Sequence, residues 1–228
     1  MNISRSLVRM ENLLETFHNQ RNEIIHRRIN GIENFIGEFS KLKEELDTQR
    51  IQKFNILKIL NISSDEVRHS SFLAWLLDSK SGHNQGFLFF NAFMQMCNID
   101  VHIDQPYSYT VKREFSEIES IIDILIYRRS DFLVYVENKI YSAEGNAQCS
   151  REVRDMRRLG TRLLIPPERQ YAVFLTPDGR EPVTGDPECW RTLSYQQLWL
   201  SFKQLIPQIT LDKMRYLLED WLEIISSF

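Results

Sequence analysis

Cysteine is scarce in this chain: there are three in 228 residues, Cys97, Cys149 and Cys189. The number is odd and no CxxC spacing occurs, which excludes a disulfide framework or a zinc ribbon and points to a reducing compartment. The five histidines show no HxxxH or HExxH spacing, so a histidine-based metal site has no support. No apolar run is long enough to span a bilayer, and the charge-rich N-terminus lacks the apolar segment of a secretory leader. These absences give the expectation of a cytoplasmic protein with no membrane partner. Charge of one sign is missing too: 28 Lys and Arg against 31 Asp and Glu leave a net −3. Such a balance neither announces nor excludes a nucleic-acid binder, because local patches matter more than the sum. Helix-turn-helix and zinc-finger patterns, internal repeats and low-complexity segments are all absent.

What is present is a globular composition, 43% hydrophobic, in a chain long enough for one well-buried domain and an appendage. The appendage is residues 1–50, an amphipathic helical segment with coiled-coil character. Ile25, Ile29, Ile32, Ile36, Phe39, Leu42 and Leu46 recur at spacings of three and four, opposite Glu33, Lys41, Lys43 and Glu44. Gly31 interrupts this helix at a cost of roughly 1 kcal/mol. The stripe fits a homodimer made through this helix, or a helix folded back on the rest of the chain.

Residues 51–228 alternate helical and strand patterns. Helices are expected near Gln52–Leu60, from Asp65, and over Phe87–Cys97. Strands follow near Tyr107–Glu114, Glu119–Tyr127 and Phe132–Ile140. Next come a helix at Asn146–Leu159, a strand at Gln170–Leu175 after the Pro166-Pro167 loop, and a short strand at Trp190–Leu193. Helices at Tyr195–Leu205 and Leu211–Ile225 close the chain. The fold class is α/β, a mixed central sheet flanked by helices with a long N-terminal helical extension.

Ile121–Lys139, IIDILIYRRSDFLVYVENK, carries the chemistry. Asp123 interrupts one apolar strand, and Glu137-Asn138-Lys139 ends the next. Carboxylates are costly in such runs unless something charged or polar compensates them. Arg128-Arg129-Ser130-Asp131 reads as a hairpin turn, and pairing around it brings Asp123 level with Glu137. Alternation puts Glu137 and Lys139 on one face and turns Asn138 away, leaving its carbonyl as a ligand. Two carboxylates and a carbonyl suit a hard cation such as Mg2+, with Mn2+ able to substitute. Lys139 lies where it can orient or deprotonate a water.

This pattern resembles the PD-(D/E)XK nuclease superfamily, whose motif is Asp, a gap of about one hairpin, and (D/E)-X-K. Ile122 stands where the family name has proline. DEVRHSSFLAWLLD (Asp65–Asp78) resembles the helix before the sheet in one bacterial branch, which carries a glutamate toward the metal site and so implicates Glu66. HNQGFLFFNAF (His83–Phe93) resembles that branch's next turn and helix. Gln148 matches a glutamine placed after the motif lysine, and YAVFLTPDG (Tyr171–Gly179) resembles the next core strand and turn. The resemblance implies a restriction-endonuclease-like core and a metal-dependent nuclease, endonuclease rather than exonuclease, acting on DNA in a phage-defence or restriction-type setting. Asp123, Glu137, Lys139 and Gln148 would be catalytic. Asp123, Glu137, the Asn138 carbonyl and Glu66 would hold the metal. The alternative is a catalytically inactive nuclease-fold module that binds nucleic acid or a protein.

Several neighbours have plainer readings beside functional ones. Glu66 also completes a capping box with Ser63 at the N-cap. Arg151, Arg154 and Arg158 share a helical face and are the candidate nucleic-acid contacts, or else a solvated face partnered by Glu152 and Asp155. Arg128 and Arg129 at the hairpin tip are a second option. Glu114 and Glu117 read as surface charge. His69 reads as a structural contact in a helix–sheet interface, and His83 as a turn-stabilising hydrogen bond. An activating protein partner would leave no mark in the sequence.

Overall fold

The computed structural model describes residues 3–52, 54–101, 103, 105 and 108–228, with side chains of the first helix described over 14–46. Two compact units emerge, residues 1–55 and 56–228. The first is a single helix, α1 (Ile3–Gln52), which runs through Gly31 and Gly37 without a break. Its apolar stripe is exposed from Leu14 to Leu46, including Phe17, Ile25, Phe35 and Phe39.

The second unit is built on five strands in the order β1-β2-β3-β4-β5. They are β1 (Thr110–Ser116), β2 (Ile121–Arg128), β3 (Phe132–Asn138), β4 (Gln170–Thr176) and β5 (Trp190–Ser194). β1, β2 and β3 are antiparallel neighbours, while β4 and β5 add in parallel. The mixed sheet therefore matches the expected α/β class. β3 is central and buried along its whole length. That is why it reads as an unbroken apolar run rather than an alternating one.

Helices cover both faces. α5 (Gln148–Arg162) packs Cys149, Met156 and Leu159 against Leu133, Tyr135 and Phe174. The other face is covered by α3 (Glu66–Leu77), α4 (Leu88–Met96), α6 (Tyr195–Leu205) and α7 (Asp212–Ile225). There Leu73, Phe89, Phe202 and Trp221 meet Val134, Val136, Val173 and Leu175.

Element ends are set by local chemistry. The helix expected at Gln52–Leu60 is only α2 (Ile56–Ile59), and it stops there because Asn61 turns left-handed at φ 54°. The Ile62 N–H then bonds the Leu57 carbonyl at 3.0 Å, a Schellman closure. α4 stops the same way at Asn98 (φ 50°) and α5 at Leu164 (φ 60°). Lys53 and Tyr107, inside the expected first helix and first strand of this unit, lie outside the described residues.

Candidate active site

Asp123 sits where the sheet opens. Against β1, β2 pairs from Thr110↔Tyr127 to Arg113↔Ile124 and resumes at Phe115↔Ile122, skipping Glu114 and Asp123. Glu114, opposite Asp123, is left-handed at φ 45°. Against β3 the ladder ends at Ile124↔Val136, one step before Asp123 and Glu137 would face each other. The hairpin thus brings the two carboxylates level, as its length predicts. Asp123 Oδ2 accepts the Asn138 N–H at 2.8 Å.

The Lys139 N–H bonds the Leu175 carbonyl on β4 at 2.9 Å. Groups of successive strand residues point to opposite sides, so the Asn138 N–H and carbonyl both face the β2 side, toward Asp123. The Asn138 side chain is locked on the other face of the sheet. Its amide donates to Ser70 Oγ at 3.0 Å and to the Glu66 carbonyl at 3.3 Å, and its oxygen accepts the Tyr195 hydroxyl at 2.9 Å.

Glu137 is buried. Its Oε1 accepts the Lys139 ammonium at 2.9 Å and the Gln148 amide, while its Oε2 has no hydrogen-bond partner. Gln148 also donates to Glu152 Oε1 at 2.8 Å, and Glu152 Oε2 is likewise buried and unpartnered. Burial pushes the Glu137 carboxyl well up from its ordinary range, reinforced by Asp123 and Glu152 and opposed by Lys139. Burial raises Asp123 too, against the pull of the Asn138 N–H and Lys139. Glu152 is pushed up to about 7, chiefly by burial. Burial works against the Lys139 ammonium, but Glu137, Asp123 and Glu66 outweigh it and raise its pKa. Negative charge is thus concentrated around one ammonium, an arrangement that a cation relieves. Among the described residues no three Asp, Glu, His or Cys side chains converge on one ion position. The donors fit a cation that keeps several waters, held by few protein oxygens.

Glu66 is the first residue of α3, and the cap is Asp65, whose side chain accepts the Arg68 N–H at 3.1 Å. The expected capping box with Ser63 does not form, because the helix begins two residues later than that reading required. Glu66 is therefore free to reach the segment after β3. Its Oε1 accepts the N–H groups of Ile140, Tyr141 and Ser142 at 2.8, 2.8 and 2.9 Å, and its Oε2 the Ser142 hydroxyl at 2.7 Å. Burial raises its pKa, but the Ser142, Tyr141 and Ile140 donors prevail and hold it below the ordinary carboxylate range.

Arg151, Arg154 and Arg158 do share one face of α5, yet Glu119 ties them down. Arg154 reaches Glu119 Oε2, Arg158 its Oε1 at 2.6 Å, and Arg151 its carbonyl at 3.0 Å. Asp155 anchors the same turn through Ser120 Oγ (2.6 Å) and the Glu119 N–H (3.0 Å). Arg128 pairs with Asp131 at the hairpin tip. Glu114 pairs with Arg113 on the surface, whereas Glu117 lies past the end of β1 with its carboxylate enclosed and paired to Arg162.

His69 is structural but joins two helices rather than helix and sheet: its Nδ1 accepts the Trp221 N–H at 3.0 Å and its Nε2 meets the Ser63 carbonyl at 3.2 Å. His83 holds its turn through the Asp78 carbonyl (3.1 Å) and the Gln85 N–H (2.9 Å).

The residue that sequence reasoning misplaced is Glu152. Helical spacing groups it with the arginine face, but it is buried one turn after Gln148. The signal was available: Cys149, Glu152, Met156 and Leu159 form the buried stripe of α5 at spacings of three and four, with a carboxylate in its midst. A family model described as the PD-(D/E)XK nuclease superfamily matches residues 54–222. No curated protein matches the chain.

Proposed function

The chain belongs to the PD-(D/E)XK nuclease superfamily, and from that premise we propose that it is a Mg2+-dependent endonuclease acting on DNA, with Mn2+ as a substitute. The observation that carries this reading is the unpartnered, buried Oε2 of Glu137 beside Asp123 at the opening of the β2–β3 ladder. Asp123, Glu137 and the Asn138 carbonyl would hold the cation. Bound there, it supplies Lewis acidity toward a phosphoryl oxygen and acidifies a water.

The chain's own residues do the rest. The Asn138 N–H fixes Asp123, and Gln148 and Lys139 fix the Oε1 of Glu137. The Lys139 ammonium stabilises the negative charge that builds on the phosphate during in-line attack, and orients the attacking water. Glu66 takes part by holding the backbone after the motif; with four donors on its carboxylate, it reaches a cation only by releasing some of them. Arg154 and Arg158 contact phosphates by exchanging Glu119 for the nucleic acid.

The test is cleavage of supercoiled plasmid in Mg2+, Mn2+ or EDTA, beside Glu137→Ala and Lys139→Ala. Metal-dependent nicking lost in both variants is expected. Equal nicking by either variant would refute the site, and tight DNA binding with no cleavage in any metal would favour the inactive binding module.

The same reading extends to context. Cys97, Cys149 and Cys189 are free thiols, which supports a cytoplasmic setting. Among the described residues no helix is long and apolar enough to cross a membrane. A phage-defence or restriction-type role is tested by plating phage on cells with and without the Lys139→Ala gene, and an activating protein partner by whether purified protein cleaves unaided.

A homodimer through α1 is supported by its exposed stripe. Leu14, Ile25 and Ile36 recur every 11 residues, as do Ile24, Phe35 and Leu46. The same stripe carries a seven-residue repeat, Ile25, Ile32, Phe39 and Leu46 with Ile29 and Ile36, so it fits a left-handed coiled coil as well as a straighter pairing. Over 14–30 the charges are Arg21, Arg27 and Arg28 against Glu15 and Glu23; over 31–46 they are Lys41 and Lys43 against Glu33, Glu38, Glu44 and Glu45. The halves carry opposite net charge, so a second copy fits best antiparallel. Light scattering of Ile25→Asp/Ile36→Asp protein should read a monomer where the parent reads a dimer; an unchanged mass would overturn the interface.

A further inference from the structure

We propose that Glu152 is a positioning residue of the active site, acting through Gln148 to set which oxygen of Glu137 is left free. The inference rests on the nuclease reading above but concerns a residue outside its motif.

Gln148 has two amide hydrogens and one strong acceptor, and all three are used. Its Nε2 donates to Glu137 Oε1 and Glu152 Oε1, and its Oε1 accepts the Gly145 N–H at 2.9 Å. The orientation is forced: a flipped amide would aim its oxygen at two carboxylates. Residues four apart on a helix share a face, so α5 presents both side chains to the end of β3. With Oε1 occupied by Gln148 and Lys139, Glu137 keeps Oε2 as its unpartnered atom.

Glu152 has an oxygen that no donor reaches and is 1% exposed. It does not complete a three-residue ion cluster among the described residues. It meets the site through the Gln148 bond and, carboxyl to carboxyl, through Glu137 itself, which places it directly behind the metal ligands. Without it, one hydrogen of Gln148 loses its partner in a buried site, and the amide is free to turn and release Glu137.

The experiment compares two substitutions of equal charge. Glu152→Gln keeps an acceptor oxygen for Gln148 and sets an amide donor against Glu137, and Glu152→Met fills the same space with neither. Two readouts are needed: Mn2+ binding to the DNA-free protein by calorimetry, and kcat and KM for plasmid nicking. Glu152→Met is expected to bind Mn2+ about 10- to 100-fold more weakly than Glu152→Gln, with a similar deficit in kcat and an unchanged KM. Equal behaviour of the two variants in both readouts would overturn the proposal, assigning any shared loss to charge or direct ligation. Thermal melts in EDTA check that both fold, and Glu152→Leu substitutes for Met if it does not. Glu137→Ala and Lys139→Ala run alongside. If they nick like the parent, the nuclease reading fails, while the Mn2+ comparison still decides the role of Glu152.

Discussion

Removing the charge of Glu152 should stabilise the metal-free protein, and by an amount that depends on pH. The carboxyl is displaced from its ordinary 4.5 to about 7, chiefly by burial. A raised carboxylate pKa means that the folded state binds more protons than the unfolded chain between those values. Stability is then intact below about pH 4.5 and falls as pH rises through 7. The displacement corresponds to about 3 kcal/mol at pH 8; the Asp123 charge adds to the burial, while Gln148, Lys139 and Glu137 oppose it. Glu152→Gln removes the ionisation, keeps the acceptor for Gln148 and offers Glu137 a donor. For a folded unit of this size the gain amounts to roughly 6 to 12 °C in melting temperature. The assay is thermal melting of parent and variant in EDTA at pH 8 and pH 5, repeated with Mn2+. The variant should melt higher at pH 8, nearly level at pH 5, and Mn2+ should narrow the gap. Equal melting at pH 8 in EDTA would refute the picture of a charged pocket waiting for a cation.

Four further outcomes follow from particular contacts. Glu66→Ala takes the acceptor from three amides and a hydroxyl, so it should cost roughly 2 to 4 kcal/mol in urea unfolding and speed hydrogen exchange at Ile140, Tyr141 and Ser142; unchanged exchange there would contradict the clamp. Burial lowers the pKa of both His69 and His83, so the unfolded chain binds the extra protons below about pH 6.5 and these rings subtract stability as pH falls. Imidazole nitrogen spectra should show both rings taking up their proton below the free-imidazole range, with the neutral-form proton on Nε2, and titration at or above that range would disprove it. Leu164→Gly relieves a left-handed leucine whose side chain is exposed, and should raise stability by up to about 1 kcal/mol in the same unfolding assay. Glu119→Gln releases Arg154 and Arg158, so it should tighten DNA binding in a gel shift and steepen its salt dependence; unaltered affinity would mean that DNA does not lie on that face.

The sequence made the core legible where one residue type answers one geometric demand. The hairpin turn between β2 and β3 fixed the register that brings Asp123 level with Glu137, and the apolar run of β3 marked the central strand. Helix ends were legible only within a few residues, because Asn61, Asn98 and Leu164 close helices by left-handed turns that composition does not announce. The site's supporting contacts were harder. Glu66 stands out at the start of α3, but its role depends on a partner more than 70 residues away in sequence. Glu152 was hidden by its arginine neighbours, although its place in the buried stripe of α5 set it apart. The arginines themselves were found on the expected face, yet their neutralisation by Glu119 from the β1–β2 turn is a long-range fact no helical spacing reveals.

The opening of the sheet at Asp123 explains why so many polar contacts gather around one short segment. Continued pairing past Ile124↔Val136 would direct the Asn138 N–H and carbonyl into the backbone of β2, leaving neither for Asp123 or a cation. An open ladder has its own cost, since buried backbone groups without partners destabilise the fold. Side chains take over the N–H groups: that of Asn138 meets Asp123, and those of residues 140–142 meet Glu66. The Asn138 side chain, held by Ser70 and Tyr195, ties the end of β3 to α3 and α6 on the far face. Divergence of the strands is thereby made rigid. Rigidity matters because an acidic site left free to relax would relieve its repulsion by spreading its carboxylates, and would meet a cation only after reassembling them. The buried, unpartnered oxygens of Glu137 and Glu152 are what this scaffold prevents from relaxing.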